Sequence, residues 1–394
     1  MTGKANPVHF DTSDPTLREN LFDSLNELRN ACPVAWSTAH NGFWVLSRYA
    51  DLIRAVLDTD SFTSTNGIMI PPNVKSVPAL PAEADGPRHS QMRRALLPFF
   101  NAAAVERLTP QIKQIVADAV AEIAPLGRAD LVPTLGLKIP PLVLAAMLGL
   151  HSEQAATIHT LTSNLLQSVG RDMTAAIAAA RELEGWVHEQ VDKRLGRPPS
   201  DILGEIVNAP LDPQKPLSRN EVAGVVHLLI IAGHETTTNG ISTMLHRYMT
   251  VEGLRERLLA DPGLIDAVVE ESLRLDPPIY NFARTARRDT RLGDTTIGTG
   301  EWVMLLYGAA NRDPAKFPDP DSFVVPRSSN QHVSFGWGRH RCLGTALARF
   351  ELRAVMEAVL GAIPDIEIAE QPTRSCGSVT QGFATLPVIF APRR

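Results

Sequence analysis

The chain has 394 residues, 44% of them hydrophobic, enough apolar side chains for a sizeable core in one large domain or two. A formal charge of -5 gives no basic field of the kind that non-specific nucleic-acid binding needs, so DNA and RNA are set aside as partners. Three cysteines, Cys32, Cys342 and Cys376, are too few for a disulfide framework and point to a reducing, cytoplasmic compartment.

The stretch from Met1 to Leu17 is polar and lacks the charged-then-apolar pattern of a signal peptide. Leu17, Leu21, Phe22, Leu25 and Leu28 recur at helical spacing, and Ala31-Cys32-Pro33 ends that helix. Phe43 to Leu46 reads as a short strand and Tyr49 to Leu57 as a helix. Between Phe62 and Ala84 the composition shifts to Ser, Thr, Asn, Gly and Pro, with Ile68, Met69, Ile70 and Leu80 as apolar islands, either a functional loop or a flexible linker. His89 and Arg93 stand four apart, so a helix carries both on one face, suited to an anion or simply to solvent.

From Ala103 to Leu195 the pattern predicts successive helices with breaks at Pro110, Pro125 to Gly127, Pro140-Pro141 and Gly170. A long helix follows from about Asn220 to Tyr248. It contains the longest apolar run, Val222 to Gly233, interrupted by His227 and short of the roughly 20 residues of a membrane span. No membrane anchor is expected. At its centre Ala232-Gly233-His234-Glu235-Thr236-Thr237 places Gly and Thr where they cost helix stability, which marks either a functional departure from regular helix or a bend for packing. Glu271 and Arg274, three apart, are within ion-pair reach on a helix.

Cys342 lies in a glycine-punctuated loop with Gly336, Gly338 and Gly344, just ahead of an Ala/Leu/Glu/Arg-rich run that predicts a helix. A helix N-terminus with Arg339, His340 and Arg341 beside it favours a thiolate. A closed zinc site would need about four Cys or His ligands in paired spacing, and no second cysteine lies near. A buried structural cysteine is the plain alternative.

The pattern Phe335-Gly336-x-Gly338-x-His340-x-Cys342-x-Gly344 resembles the haem-binding loop of the cytochrome P-450 family at every fixed position. The resemblance runs from Phe43 to Val388, with further motifs in the family's order: His89-x-x-x-Arg93, Ala232-Gly233-x-Glu235-Thr236, and Glu271-x-x-Arg274. It implies a mainly α, single-domain fold over residues 1–394, a triangular helical prism with a small β-rich lobe. It also implies haem b (iron protoporphyrin IX) with Cys342 as axial iron ligand. His89, Arg93, Arg284, His332 and His340 are then the propionate donors, and Phe335, Gly336 and Gly344 shape the cofactor's platform.

By the same resemblance Glu235 and Thr236 form the acid-alcohol pair that delivers protons to dioxygen, and His234 points away from the iron. Glu271 and Arg274, joined by Arg327, form a buried network under the haem loop. The substrate pocket draws on Ile68, Met69, Leu229, Ala232, Gly233, Ile279, Asn281, Phe282 and Phe383, the last at the tip of a C-terminal hairpin. The implied activity is insertion of one oxygen atom from O2 into a small, largely apolar substrate. The chain carries neither a flavin-type nucleotide motif nor a four-cysteine iron-sulfur set. Electrons are therefore expected from a separate ferredoxin and its reductase, with Arg88, Arg94, Arg339, Arg341, Arg349 and Arg353 as a basic docking surface, on a monomeric protein. Two other classes fit a haem-thiolate chain: a gas sensor or electron carrier that does not oxygenate, and a peroxide-driven enzyme.

Overall fold

A computed structural model of the chain describes residues 7–71, 77–168 and 172–393. The expected break at Gly170 and the middle of the Ile68-to-Leu80 wall, residues 72–76, lie outside them. The fold is mainly helical, built around the helix Arg219–Thr250, with 32 residues and so roughly 48 Å long at 1.5 Å per residue. Its start is fixed by a capping box: Ser218 Oγ accepts from the Glu221 N–H at 3.3 Å, and Glu221 Oε2 accepts from the Ser218 N–H at 2.9 Å. Val222, Val225, Val226, Ile230, Ile241 and Leu245 are buried along it, and the largest apolar cluster surrounds it.

The six-stranded sheet lies to one side, in the order Pro7–Val8, Val34–Ser37, Phe43–Leu46, Trp302–Leu305, Phe282–Ala286, Phe62–Thr63. Its two faces cover two smaller apolar clusters, one built on Leu25, Phe43 and Tyr280 and the other on Trp44, Leu52 and Phe62. The strand Phe43–Leu46 and the helix Tyr49–Leu57 stand where the sequence predicts them.

Pro110 does not break its helix, which runs without interruption from Ala102 to Ile123. The one backbone hydrogen bond that proline removes is outweighed by packing on either side, where Val105, Ile112, Val116 and Val120 are all buried. Pro140 and Pro141 occupy the first turn of the helix Ile139–Leu148, where a missing N–H costs nothing. The break expected there is therefore a helix start. Gly127, at φ +70°, closes the short 3-10 turn Ala124–Leu126. Among the described residues no helix is long and apolar enough to cross a membrane.

Candidate active site

The loop bearing Cys342 is folded by its own backbone. The Cys342 N–H donates to Phe335 O at 2.7 Å, and the Gly336 N–H to Val333 O at 2.8 Å. Gly336 and Gly338 take φ values of +68° and +64°, a region that a side chain with a β-carbon resists. Gly344 is different: at φ -81° it needs no glycine for its conformation, and a β-carbon there would meet Cys342 Sγ at an ordinary 3.9 Å. The loop is also pinned from behind, where Asn311 accepts from the Val333 N–H and donates to Ser334 Oγ, both at 2.8 Å.

Cys342 is not in the helix that follows. That helix spans Thr345–Ala362 with Gly344 as its N-cap, two residues beyond the cysteine. Burial pushes the Cys342 thiol above its usual range, and the pull of the Gly344 N–H, Arg93, Thr345 and Arg341 does not overcome it. The thiolate expected from sequence is thus not a property of the chain alone; a coordinated metal ion deprotonates such a thiol outright. Cys342 is nonetheless exposed, so it sits on the floor of a cleft, ringed by protein but open on one side.

Cations gather around this cleft. Arg93 lies close enough to Cys342 for each to bear on the other's charge, and Arg284 bears likewise on His340. The His89 and His340 rings stand 4.3 Å apart. Burial, reinforced by His340 and Arg93, pulls His89 down to about 4. Among the described residues neither arginine has a carboxylate partner; Arg284, itself buried, donates only to Ala283 O at 2.7 Å. His89 Nδ1 is buried with no partner at all. Buried cations without counter-charges are costly. The set fits a dianionic group lying over the thiol, as a haem with its two propionates would. His340 is also held by the protein, its Nε2 paired with Asp85 Oδ1 at 3.1 Å. The Asp85 carboxylate lies well below its usual range: burial alone would raise it, but His340, Thr63, Arg287 and the Ser64 N–H together prevail.

His332 is not among these donors. Its Nε2 pairs with Glu270 Oε2 at 3.2 Å and its Nδ1 accepts from the Ser334 N–H at 3.2 Å, so both ring nitrogens are used within the protein. Glu270 also takes Arg349 through two contacts of 2.6 Å. Burial opposes the Glu270 charge, but His332 and Arg349 hold the carboxyl down at about 2. The motif gives the position of His332 but not the direction of its ring.

The network predicted at Glu271 is present, with Glu271 and Arg274 fully buried at its centre. Arg274 makes two 2.8 Å bonds to the Glu271 carboxylate, Arg327 adds one from Nη2 at 2.9 Å and a forked one from Nε at 3.2 Å, and the Val324 N–H and Asn330 Nδ2 also donate. Arg274 Nη1 reaches Asn311 O at 2.8 Å, which joins this network to the residue that pins the cysteine loop.

On the central helix Ala232 is exposed and Gly233, Glu235 and Thr236 are half-buried, in a segment whose other faces are covered. Thr236 Oγ1 donates to Ala232 O at 2.9 Å, the i-4 bonding that loosens a helix locally. Glu235 does not pair with Thr236; successive helical residues diverge by about 100°. Its Oε1 instead accepts from Thr380 Oγ1 at 2.7 Å. Burial raises the Glu235 carboxyl above the usual range and Thr380 only partly offsets this. His234 is fully buried on the opposite side, 6.4 Å from the His159 ring and near the Leu137 backbone, with neither nitrogen in a hydrogen bond of normal geometry.

Of the pocket candidates, Ile68, Met69, Leu229, Ile279 and Phe282 are half-buried, while a β-carbon on Gly233 would face Leu144 at 3.4 Å, toward the core. Asn281 and Phe383 do not line a pocket. Asn281 is buried and its Nδ2 donates to Ser378 O at 2.8 Å. Phe383 lies within the strand Gln381–Thr385, not at the hairpin turn, and is packed between His246 and Arg374. The basic surface shrinks too: Arg88 pairs with Glu221, Arg349 with Glu270, and Arg353 with Asp266 and Glu357, leaving Arg94, Arg339 and Arg341 exposed without carboxylate partners among the described residues. Asp85, Glu270 and Thr380 were missed from sequence. Asp85 sits four residues before His89 and was within reach of motif reading; Thr380 was not, because only the hairpin's packing brings it to Glu235.

The Cytochrome P-450 family model matches residues 137–362. The chain is 33% identical over 361 residues to mycinamicin IV hydroxylase/epoxidase of Micromonospora griseorubida, covering 88% of this chain and 89% of that one. It is 31% identical to the beta-dihydromenaquinone-9 omega-hydroxylase of Mycobacterium tuberculosis (strain ATCC 25618 / H37Rv), covering 98% of this chain and 79% of the relative. The structure of the bacillaene polyketide synthase cytochrome P-450 of Bacillus subtilis 168 superposes with a TM-score of 0.87 at 26% identity, over 97% of this chain and all 100% of that one. A cysteine on a glycine loop, nearby arginines without carboxylate partners among the described residues, and these likenesses lead to one conclusion: the chain belongs to the cytochrome P-450 family of haem-thiolate oxidoreductases.

Proposed function

We propose that the protein inserts one oxygen atom from O2 into a small, largely apolar organic substrate, using electrons delivered by a separate ferredoxin and its reductase. The observation that carries this reading is the exposed thiol of Cys342 close to Arg93, with Arg284 close to His340, neither arginine having a carboxylate partner among the described residues. In this reading Cys342 Sγ would ligate the haem iron, and Arg93, Arg284, His89 and His340 would hold the propionates. Exposed Ala232 and half-buried Thr236 on the central helix would then face the bound group from the other side. Bound there, the haem supplies oxygen activation and the oxidising power, and the thiolate supplies electron density to it.

The chain's own part is to shape, exclude and supply protons. The half-buried Ile68, Leu229, Ile279 and Phe282 make an apolar wall that takes an organic substrate and keeps bulk water out. Glu235, raised by burial, holds a proton at its carboxyl closer to neutral pH than a free carboxylate does. Thr236 Oγ1 can exchange its bond to Ala232 O for one to a water, and so would hold and pass on a proton at its hydroxyl. Exposed Arg94, Arg339 and Arg341, with Leu57 and Leu97 also exposed, offer a cationic, partly apolar face for an acidic electron donor. Three free cysteines accord with a cytoplasmic setting.

The printed names of the relatives concern mycinamicin IV and beta-dihydromenaquinone-9, different molecules, so family membership selects no substrate. The test is a titration of the ferric protein with small apolar and aromatic-acid candidates, read by absorption. A saturable blue shift of the Soret band identifies a ligand class that displaces iron-bound water. A haem-replete preparation without any haem spectrum removes the reading.

A further inference from the structure

The C-terminal hairpin, Thr373–Cys376 and Gln381–Thr385, is pressed unusually close to the central helix. A β-carbon on Gly382 would come within 2.3 Å of Asn239 Oδ1 and 2.9 Å of Asn239 Cβ, so this approach is open to glycine alone. Two periodicities then fix what else must meet. On an extended strand residues two apart share a face, so Thr380 lies on the same side as Gly382; on a helix residues four apart share a face, so Glu235 lies one turn before Asn239. Seating Gly382 on Asn239 therefore brings Thr380 onto Glu235, and Thr380 Oγ1 donates to Glu235 Oε1 at 2.7 Å.

The hairpin turn is not free to swing. Thr380 forms a bridge with Ile279, the Tyr280 N–H donates to Val379 O at 3.0 Å, and the Gln381 N–H donates to Pro278 O at 3.0 Å. Segment 277–281 thus locks the turn through backbone pairing. Among the described residues Thr380 is the one partner of the Glu235 carboxyl, and Oε2 has none.

We propose that Thr380 is a positioning residue for proton delivery: its hydroxyl fixes the Glu235 carboxyl through Oε1, leaving Oε2 as the oxygen that gives up and regains the proton. Because Thr380 is also bridged to half-buried Ile279, the acid's one tether among the described residues is anchored in the proposed pocket wall. The inference rests on the reading of Glu235 as the proton carrier.

The test uses the haem-loaded protein in three variants: Thr380→Val, which keeps the β-branched shape and loses the donor, Thr380→Ser, which keeps the donor, and Glu235→Gln. The readouts are the infrared carbonyl band that Glu235→Gln removes, followed in the resting ferric protein against pH, and product formed per NADH. Losing the donor moves that band to higher frequency. It also carries the titration to higher pH, since the Thr380 bond favours the ionised form. Product per NADH falls several-fold in Thr380→Val, and Thr380→Ser restores all three. A Thr380→Val band and titration identical to those of the unaltered protein, or Thr380→Ser no better than Thr380→Val, overturns the inference. Glu235→Gln separates the two levels. If it lowers product per NADH while Thr380→Val changes nothing, only the positioning inference falls. If Glu235→Gln leaves product per NADH intact, the proton-carrier reading falls and takes the inference with it.

Discussion

At the scale of single residues, the account turns on groups whose surroundings alter their chemistry. Thr236→Ala removes the relay hydroxyl while leaving the pocket wall, so substrate binding persists and product formation drops roughly a hundredfold, with NADH consumed into peroxide instead. Unchanged product per NADH in that variant would remove Thr236 from the relay. His234 makes a different prediction. Burial holds it down to about 4, below the 6.5 of an ordinary histidine, so the folded protein keeps it neutral where the unfolded chain would protonate it. Its contribution is therefore fully present above the unfolded value and is lost as pH falls from 6.5 through 4. Over that window the loss is of order 3 kcal/mol, and His234→Leu should flatten the decline in unfolding free energy, read from urea titrations, by about that much. A variant whose midpoint falls as steeply as the parent's would show that His234 does not titrate on unfolding.

At the scale of elements, contiguous motifs were legible and packing register was not. The Cys342 loop, the Glu271-to-Arg274 pair and the His89-to-Arg93 pair each lie within one turn or one helix, so local spacing is enough to join them. His332, Asn281 and Phe383 have partners 62, 97 and 137 residues away, in Glu270, Ser378 and His246, and nothing local says which way those side chains turn. Pro110 marks the same limit from the other direction, a local helix-breaking signal overridden by the burial of its neighbours. Gly382→Ala probes the hairpin register directly. The added methyl overlaps Asn239, so the strand must lift, at a cost of about 1–3 kcal/mol for overpacking, and the Thr380 contact is lost with it. An alanine variant with unchanged thermal midpoint and unchanged product per NADH would mean that the hairpin does not need this close approach.

At the scale of the whole molecule, the long central helix, the helix after Cys342 and the Glu271 network act as one frame for the cleft. Glu271 ties Arg274 and Arg327 together, and Arg274 reaches the Asn311 carbonyl behind the cysteine loop. Removing this carboxylate leaves two buried cations, so Glu271→Ala should lose about 3–5 kcal/mol of stability and the capacity to retain haem. A variant that keeps its thermal midpoint and its haem content would show that the loop stands without that support. The central claim is that Cys342 ligates haem iron, and the reduced, carbon monoxide-treated protein tests it most directly. The parent should show the strongly red-shifted Soret band of a thiolate ligand, and Cys342→Ser should lose it. A red-shifted band retained in Cys342→Ser would contradict the account at its root.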